Sequence, residues 1–398
     1  MNKSNFFVPS LPTLWPAMLL GLGGTTGSYY PFSATNVRYF YFARNALYLA
    51  VWLLGLEGLE VLVPAYHHGV EIEALQSAGA IPVFYRVGAR MDVDMSDVER
   101  RITPQTGALY LTHYAGFPGP AAEMRALADK HGLRLIEDCA LSLLSADGEK
   151  PLGTTGDASI FCLYKTLPVP NGGALVLREP PGRKLHAAVT PPRISTVSHV
   201  LSSLLQNVEM RGGSVGRLLR VAARGLGRHT VAAAGIERVT TGSDHFDPEQ
   251  ARLGMSPLSK RIMRSQHLAR IVEARRRNYE YLQAELGDIS PPLLDSLPPG
   301  VCPLFYPLVV EDKDAVLSRL AERGVDAIDL WRQFHPACDP AEFPEVAWLR
   351  RSIVELPCHQ DITSGQAVHI VEAVRYAITS AGHAPPLPII ATSRGQAV

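Results

Sequence analysis

EVLVPAYHHGVEIEALQSAGAIPVFYR, residues 60–86, holds a complete strand, helix and strand. EVLVPA is an apolar run of buried-strand length. VEIEALQSAG has apolar residues at helical spacing and closes on glycine, and IPVFYR is again rich in β-branched and aromatic residues. Upstream, ARNALYLAVWLLGL (43–56) reads as a helix. Downstream the rhythm continues through DMSDVERRI, ALYLTH, AAEMRALADKHG and LRLIED to the paired strands ASIFCL and GALVLR. Strands joined by single crossover helices predict an α/β fold with a mostly parallel central sheet covered on both faces. Such a sheet binds ligands outside the carboxyl ends of its strands.

The composition suits a large buried core: 398 residues, 46% hydrophobic and 19% charged. At roughly 100–200 residues per domain this length predicts two or three domains. Lys+Arg and Asp+Glu are both 38, so no global field attracts nucleic acid, and any anion site must be built locally. The five cysteines form no CxxC pair, which argues against a disulfide framework or a zinc site and for a reducing, cytoplasmic setting. Pro9, Pro12 and Pro16 cut the apolar N-terminal stretch, which fits neither a signal peptide nor a membrane span. Residues 1–35 are read as an arm lying on the body or on a partner subunit. GLGGTTG at 21–27 lacks the GxGxxG spacing of a dinucleotide loop.

Past residue 180 the strand signal stops, and 183–245 reads as a helical insertion with glycine breaks. The large domain is placed at 36–250 and a smaller α+β domain at 251–398. In the latter a long helix is predicted over 261–286, then the strand CPLFYPLVV, the helix DAVLSRLAERG and a last helix from near Thr363. Arg217, Arg220, Arg224 and Arg228 recur at helical spacing in the insertion. They read as a solvated face, as a basic lip for a diphosphate substrate, or as a helix on a membrane surface.

IEDCA places Asp138 at a strand end, where a buried carboxylate can meet a cationic ring nitrogen and keep it protonated. Taken alone, Glu137-Asp138 reads more readily as a strand-ending pair capping the next helix. In FCLYKTLPVPNGG, Lys165 follows an apolar strand and precedes a Pro/Gly loop. A lysine desolvated there supplies the unprotonated amine that imine formation requires, whereas an isolated one simply snorkels. The two become informative together.

VLVPAYHHGVEIEALQSAGAIPVFYRV, THYAGFPG, IEDCA, LGTTGDASIF, the lysine with NGG, and LPCHQDI resemble the DegT/DnrJ/EryC1/StrS aminotransferases, over about 40–180 and again over about 255–375. The resemblance implies the pyridoxal-phosphate (PLP) fold type I and a homodimer with active sites at the subunit interface. It also implies amino transfer from glutamate or glutamine to a keto group on a nucleotide-linked sugar. Lys165 matches the family's Schiff-base lysine and Asp138 the carboxylate facing the pyridine nitrogen. Ala43, Arg44 and Asn45 open a helix where the family cradles the phosphate, a role suited to backbone N–H groups. His68 falls where an aromatic ring covers the cofactor. Ala140 lies in the cofactor-binding EDxA segment. Cys162 stands in the neighbourhood of a phosphate-binding serine, or is a buried apolar cysteine.

The sequence also departs from the family. Leu141 replaces a glutamine that contacts the cofactor, Arg252 stands near a partner-supplied asparagine, and the segment before Lys165 is shorter. His113 matches the family's HxxG without a derivable chemical task. Three readings follow: an aminotransferase with a small-molecule keto acceptor and an amino-acid donor, another PLP reaction such as a lyase, decarboxylase or dehydratase, and a non-catalytic regulatory homologue. The first leads as what the resemblance implies, and Asp138 with Lys165 speaks against the third, because a non-catalytic role needs neither a buried acid nor a desolvated amine.

Overall fold

The computed structural model describes residues 6–180, 182–183, 188–233 and 245–379, with the backbone alone for 214 and 219–233. The chain runs through β1 (Val37–Phe40), α1 (Ala43–Leu54), β2 (Glu60–Pro64), α2 (Val70–Ser77) and β3 (Ile81–Tyr85). It continues with α3 (Met95–Arg100), β4 (Thr106–Thr112), α4 (Ala121–His131) and β5 (Arg134–Asp138). A small hairpin, β6 (Ala146–Asp147) and β7 (Lys150–Pro151), precedes β8 (Ala158–Cys162) and β9 (Gly173–Leu177). Seven strands form one sheet in the order β1-β9-β8-β5-β4-β2-β3. From β3 to β8 every neighbouring pair is parallel, and β9 and β1 close the other edge antiparallel. With both faces covered its central strands cannot alternate polar and apolar residues. Val61, Leu62 and Val63 are accordingly all fully buried.

The predicted helical insertion contains α5 (Arg193–Ala233), a 41-residue helix broken at Gly213, where φ 52° and ψ −128° leave the helical region. Residues 184–187 and 234–244 of that stretch lie outside the described residues. Arg217 is exposed, and the side chains of Arg220, Arg224 and Arg228 lie outside the described ones.

The C-terminal part holds α6 (Pro257–Arg264), α7 (Leu268–Leu286), β10 (Phe305–Val309), α8 (Lys313–Glu322) and β11 (Ile328–Asp329). It ends with α9 (Pro344–Ser352), β12 (Ile353–Pro357) and α10 (Ser364–Thr379). Its strands make an antiparallel sheet ordered β10-β12-β11. Tyr306, Leu308 and Leu356 of that sheet pack with Leu282, Leu320 and Ile370 of the helices into a second core.

The single helix expected over 261–286 is two helices. Ser265 Oγ and Gln266 Nε2 both donate to the Ile262 carbonyl, at 2.7 and 2.9 Å, and so cap α6 where the hydrophobic pattern alone runs on. The N-terminal segment meets this break: Thr25 N donates to the Gln266 carbonyl at 3.0 Å. A Cβ at Gly24 would lie 1.7 Å from the Arg264 carbonyl oxygen, so this glycine serves close packing. β11, α9 and β12 were not anticipated as separate elements. Further along the N-terminal segment, Val8 exchanges backbone hydrogen bonds with Gly324 and Asp326 (2.8 and 2.9 Å), and Thr13 binds Asp361 through amide and hydroxyl.

β9 begins directly beneath the start of α1. A Cβ at Gly173 would stand 2.3 Å from the Phe42 carbonyl atoms and 2.5 Å from Ala43 N, all of them backbone. Gly173→Ala is therefore expected to destabilise the fold by about 1–3 kcal/mol, the usual cost of overpacking. Urea unfolding checks this, with a lowered midpoint at unchanged slope as the expected result.

Candidate active site

A cavity of about 770 Å³ opens at the carboxyl ends of the parallel strands, within the usual range of small-molecule sites. The large sheet contributes Tyr110, Asp138, Ile160, Cys162 and Lys165. The start of α1 contributes Phe42, Ala43 and Arg44, and the turn after β2 contributes His68 and Glu71. The opposite wall comes from Asp329, Trp331, His335 and Glu355, with Ser10 and Leu11 at the rim.

Asp138 ends β5, and side chains alternate along a strand, so its neighbour Glu137 points the other way. The Asp138 carboxylate accepts from Tyr110 Oη and from the Ala140 amide, both at 2.8 Å. Burial pushes it up to about 6. Glu71 adds to the rise, while the two hydrogen bonds and Lys165 oppose it. Across the sheet, Glu137 accepts from the Gly153, Thr155 and Gly156 amides and contacts His113 Nε2 at 3.0 Å. Burial would raise this carboxyl as well, but the His113 hydrogen bond and charge and the backbone amides outweigh it and hold it below the usual range. Fully buried, His113 also accepts from the Gly119 amide at 2.9 Å. Its task is to brace the strand end.

Lys165 follows β8, the parallel neighbour of β5, where Asp138 pairs in register with Ile160. Its loop is tied from both sides. Leu163 N donates to the Gly172 carbonyl at 2.9 Å, and Gly172 N to the Tyr41 carbonyl at 2.9 Å. From the other side Arg275 donates to the carbonyls of Lys165 and Thr166, at 3.4 and 3.3 Å, and Gln360 Nε2 to that of Thr166 at 3.1 Å. Asn171 of the NGG turn is fully buried and holds Ser256, accepting from its amide at 2.9 Å.

Of the residues singled out in the sequence, the structure brings Ala43, Arg44, His68, Asp138, Ala140, Cys162 and Lys165 to one cavity. Asn45 is not among its lining residues. It is buried, and its side-chain amide donates to the Gln250 carbonyl at 2.8 Å, because the third helical position turns towards the packed face of α1. Phe42, at the N-cap of α1, supplies no side-chain hydrogen bond, so the first amides of the helix are available to an anion, with the Arg44 guanidinium stacked 4.0 Å from the Phe42 ring. Burial pushes the Cys162 thiol up, against the charge of Lys165. Leu141 also lines the cavity, whereas Arg252 is exposed and outside it.

Several wall residues went unread in the sequence: Glu71, Tyr110, Trp331, His335 and Glu355. Only Glu355 carries a local signal, an acid inside the apolar strand IVELP. Trp331 has a φ of 44°, the left-handed region, which costs a bulky residue about 1–2 kcal/mol. Arg350 holds it there. This buried guanidinium donates to the Trp331 and Gln333 carbonyls (2.5 and 2.6 Å) and to those of Ala65 and His67 (3.2 and 3.0 Å).

Residues 43–189 match the DegT/DnrJ/EryC1/StrS aminotransferase family. The chain is 38% identical over 135 residues to the GDP-perosamine synthase of Vibrio cholerae, which covers 33% of this chain and 37% of that protein. It is 36% identical over 137 residues to a UDP-N-acetyl-3-dehydro-alpha-D-glucosamine 3-aminotransferase of Acidithiobacillus ferrooxidans, again 33% of this chain and 37% of the relative. These alignments thus span little more than a third of the curated relatives. The fold extends further: the aminotransferase TlmJ from Streptoalloteichus hindustanus superposes with a TM-score of 0.65 over 95% of this chain and all of its own, at 22% identity. The putative sugar aminotransferase Spr1654 of Streptococcus pneumoniae, in its PLP form, gives 0.68 over 94% of this chain and 99% of its own, at 14% identity. At such identities the likeness shows the fold. The stretch matched by that family, residues 43–189, is the one that carries both Asp138 and Lys165.

Proposed function

We propose that this protein is a PLP-dependent aminotransferase that moves an amino group from an amino-acid donor, glutamate or glutamine, to the keto group of a nucleotide-linked sugar. One observation carries the reading: Asp138 and Lys165 stand at the carboxyl ends of adjacent parallel strands and face one cavity, beside a helix start whose N-cap side chain makes no capping bond. The curated relatives named above, a GDP-perosamine synthase and a dehydro-glucosamine aminotransferase, support the substrate class.

The residues present fit PLP. The uncapped start of α1 and Arg44 would hold the phosphate, and Asp138 the ring nitrogen. His68 would lie against the ring and Lys165 would carry the carbonyl carbon. PLP, when bound, supplies an electron sink for charge developing at the substrate's α-carbon. Asp138 is prepared for a cation: Tyr110 and the Ala140 amide fix its two oxygens, and a positive charge opposite them favours its ionised form over the neutral acid that burial promotes. The Lys165 amine is the base that takes a substrate proton and the acid that returns it. The anchoring of the Lys165 and Thr166 carbonyls keeps that amine within its wall while its bonding partner changes.

This reading carries with it the homodimer that the resemblance implies and the cytoplasmic setting expected from the cysteines. Exposed apolar side chains on α5, among them Ile194, Val197 and Leu201, offer surface that a second subunit would cover. No helix among the described residues is long and apolar enough to cross a membrane.

Lys165→Ala is expected to abolish the near-violet absorbance of the cofactor-loaded protein and its conversion by L-glutamate. A retained band of the same kind would overturn the lysine assignment. A second expectation concerns pH. Because the folded state raises Asp138 from 3.8 to about 6, it holds that proton more tightly than the unfolded chain, and stability falls as pH rises through this window. Cofactor-free Asp138→Asn should therefore be more stable than wild type above pH ~6, by on the order of 1–3 kcal/mol, with the gap closing below pH ~4. Urea unfolding across that range measures it.

A further inference from the structure

The cavity has a wall that the cofactor assignments leave unused, formed by β12 and by the segment from β11 to His335. Its polar groups are mostly engaged with one another. Arg332 bonds Asp329 and Asp314, and Lys313 bonds Asp329 and the carbonyls of Leu330 and Arg350. Glu355 is different. It sits in the middle strand of the small sheet, between the fully buried Val354 and Leu356, opposite Pro307 on β10 and Ile328 on β11. Its carboxyl lines the cavity yet has no hydrogen bond or ion pair among the described residues.

Glu355 is half-buried, so an acid in that setting opposes folding to the extent that it gives up hydration without a compensating bond. An apolar residue would complete the strand better. Lys165 and Lys313 bear on it only through their charges, and Glu71 and Asp138 share the same chamber. What Glu355 lacks is a hydrogen-bond donor, and the space in front of it is the space left for substrate.

We infer that Glu355 is a specificity-determining residue that binds a ring hydroxyl of the acceptor, an inference that rests on the aminotransferase reading for its choice of a hydroxyl-rich ring. Burial pushes Glu355 up to about 7, with Lys165 and Lys313 opposing, so both protonation states are present near neutrality. A hydroxyl suits both: it donates to the carboxylate and accepts from the acid. An ammonium group would pair with the ionised form alone and would face the charges of Lys165 and Lys313.

The test uses the cofactor-loaded full chain as wild type, Glu355→Ala and Glu355→Gln. Calorimetry reads the binding of four probes: a GDP-linked amino sugar, a UDP-linked amino sugar, an aminocyclitol and the corresponding cyclitol without its amine. Glu355→Ala should bind the rings roughly ten- to a hundredfold more weakly, as for the loss of one hydrogen bond to a charged group. Glu355→Gln, which still donates and accepts, should lose less. That loss should exceed, by at least tenfold, any change in the spectral conversion by L-glutamate. If the alanine variant does not fold, the glutamine variant alone decides, with unchanged ring affinity across pH 5–9 counting against the inference. Equal affinity of wild type and alanine variant overturns it, as does wild type that binds none of the four probes. A loss confined to the amine-bearing rings overturns the hydroxyl assignment. The functional reading fails separately, if L-glutamate and L-glutamine leave the wild-type spectrum unchanged while Glu355-dependent binding persists.

Discussion

The guanidinium of Arg275 is 1% exposed, and its donors go to the backbone carbonyls of Pro303, Leu304, Lys165 and Thr166 and to the side chain of Gln360. A buried cation is tolerated only when its donors are matched, and here the matching is almost wholly with backbone. The site depends on that constraint. The lysine loop leaves the large sheet, yet its carbonyls are fixed by α7 and by the turn after β12. Arg350 also donates to backbone carbonyls, joining the turn after β2 to the loop around Trp331. Two buried arginines thus tie loops that line the cavity to the elements around them. Hydrogen bonds to charged groups contribute about 1.5–3 kcal/mol each, enough to hold Trp331 in its left-handed conformation.

Within that frame, two adjacent carboxylates behave oppositely because a strand turns them to opposite faces. Glu137 meets three amides and a histidine and is held ionised, whereas Asp138 meets the interior of a cavity and is pushed towards the neutral acid. The first stabilises the ionised strand end. It loses that contribution as the pH falls from the ordinary glutamate range through its lowered value. The second stores unfavourable energy that a cation in the cavity relieves. Structure and chemistry are divided between consecutive residues.

Much of this was legible in the sequence, and the rest was not for identifiable reasons. Strands buried on both faces leave continuous apolar runs, so β2, β5, β8 and β9 announce themselves, and the residues at and after the ends of the first three line the site. Local capping is harder to see: Ser265 and Gln266 stop a helix whose hydrophobic pattern continues. Asn45 was grouped with Ala43 and Arg44 by proximity in the chain, but helical geometry separates it from them. Residues such as Glu355, Arg275 and Arg350 act across long separations. Arg350 and Ala65, for example, stand 285 residues apart, and no window along the chain brings them together. An acid in an apolar strand was the only local trace of Glu355.

The reach of Arg275 has a consequence for how the molecule comes into being. Its bond to the Lys165 carbonyl spans 110 residues, and Gln360 reaches Thr166 across 194. During synthesis the large sheet and its lysine leave the ribosome well before either clamp exists, and such distant contacts form late because chain entropy opposes them. The nascent protein therefore carries its lysine on a loop tied only on the side of Gly172 and Tyr41. The second half of its anchoring waits until β12 and the turn carrying Gln360 have docked.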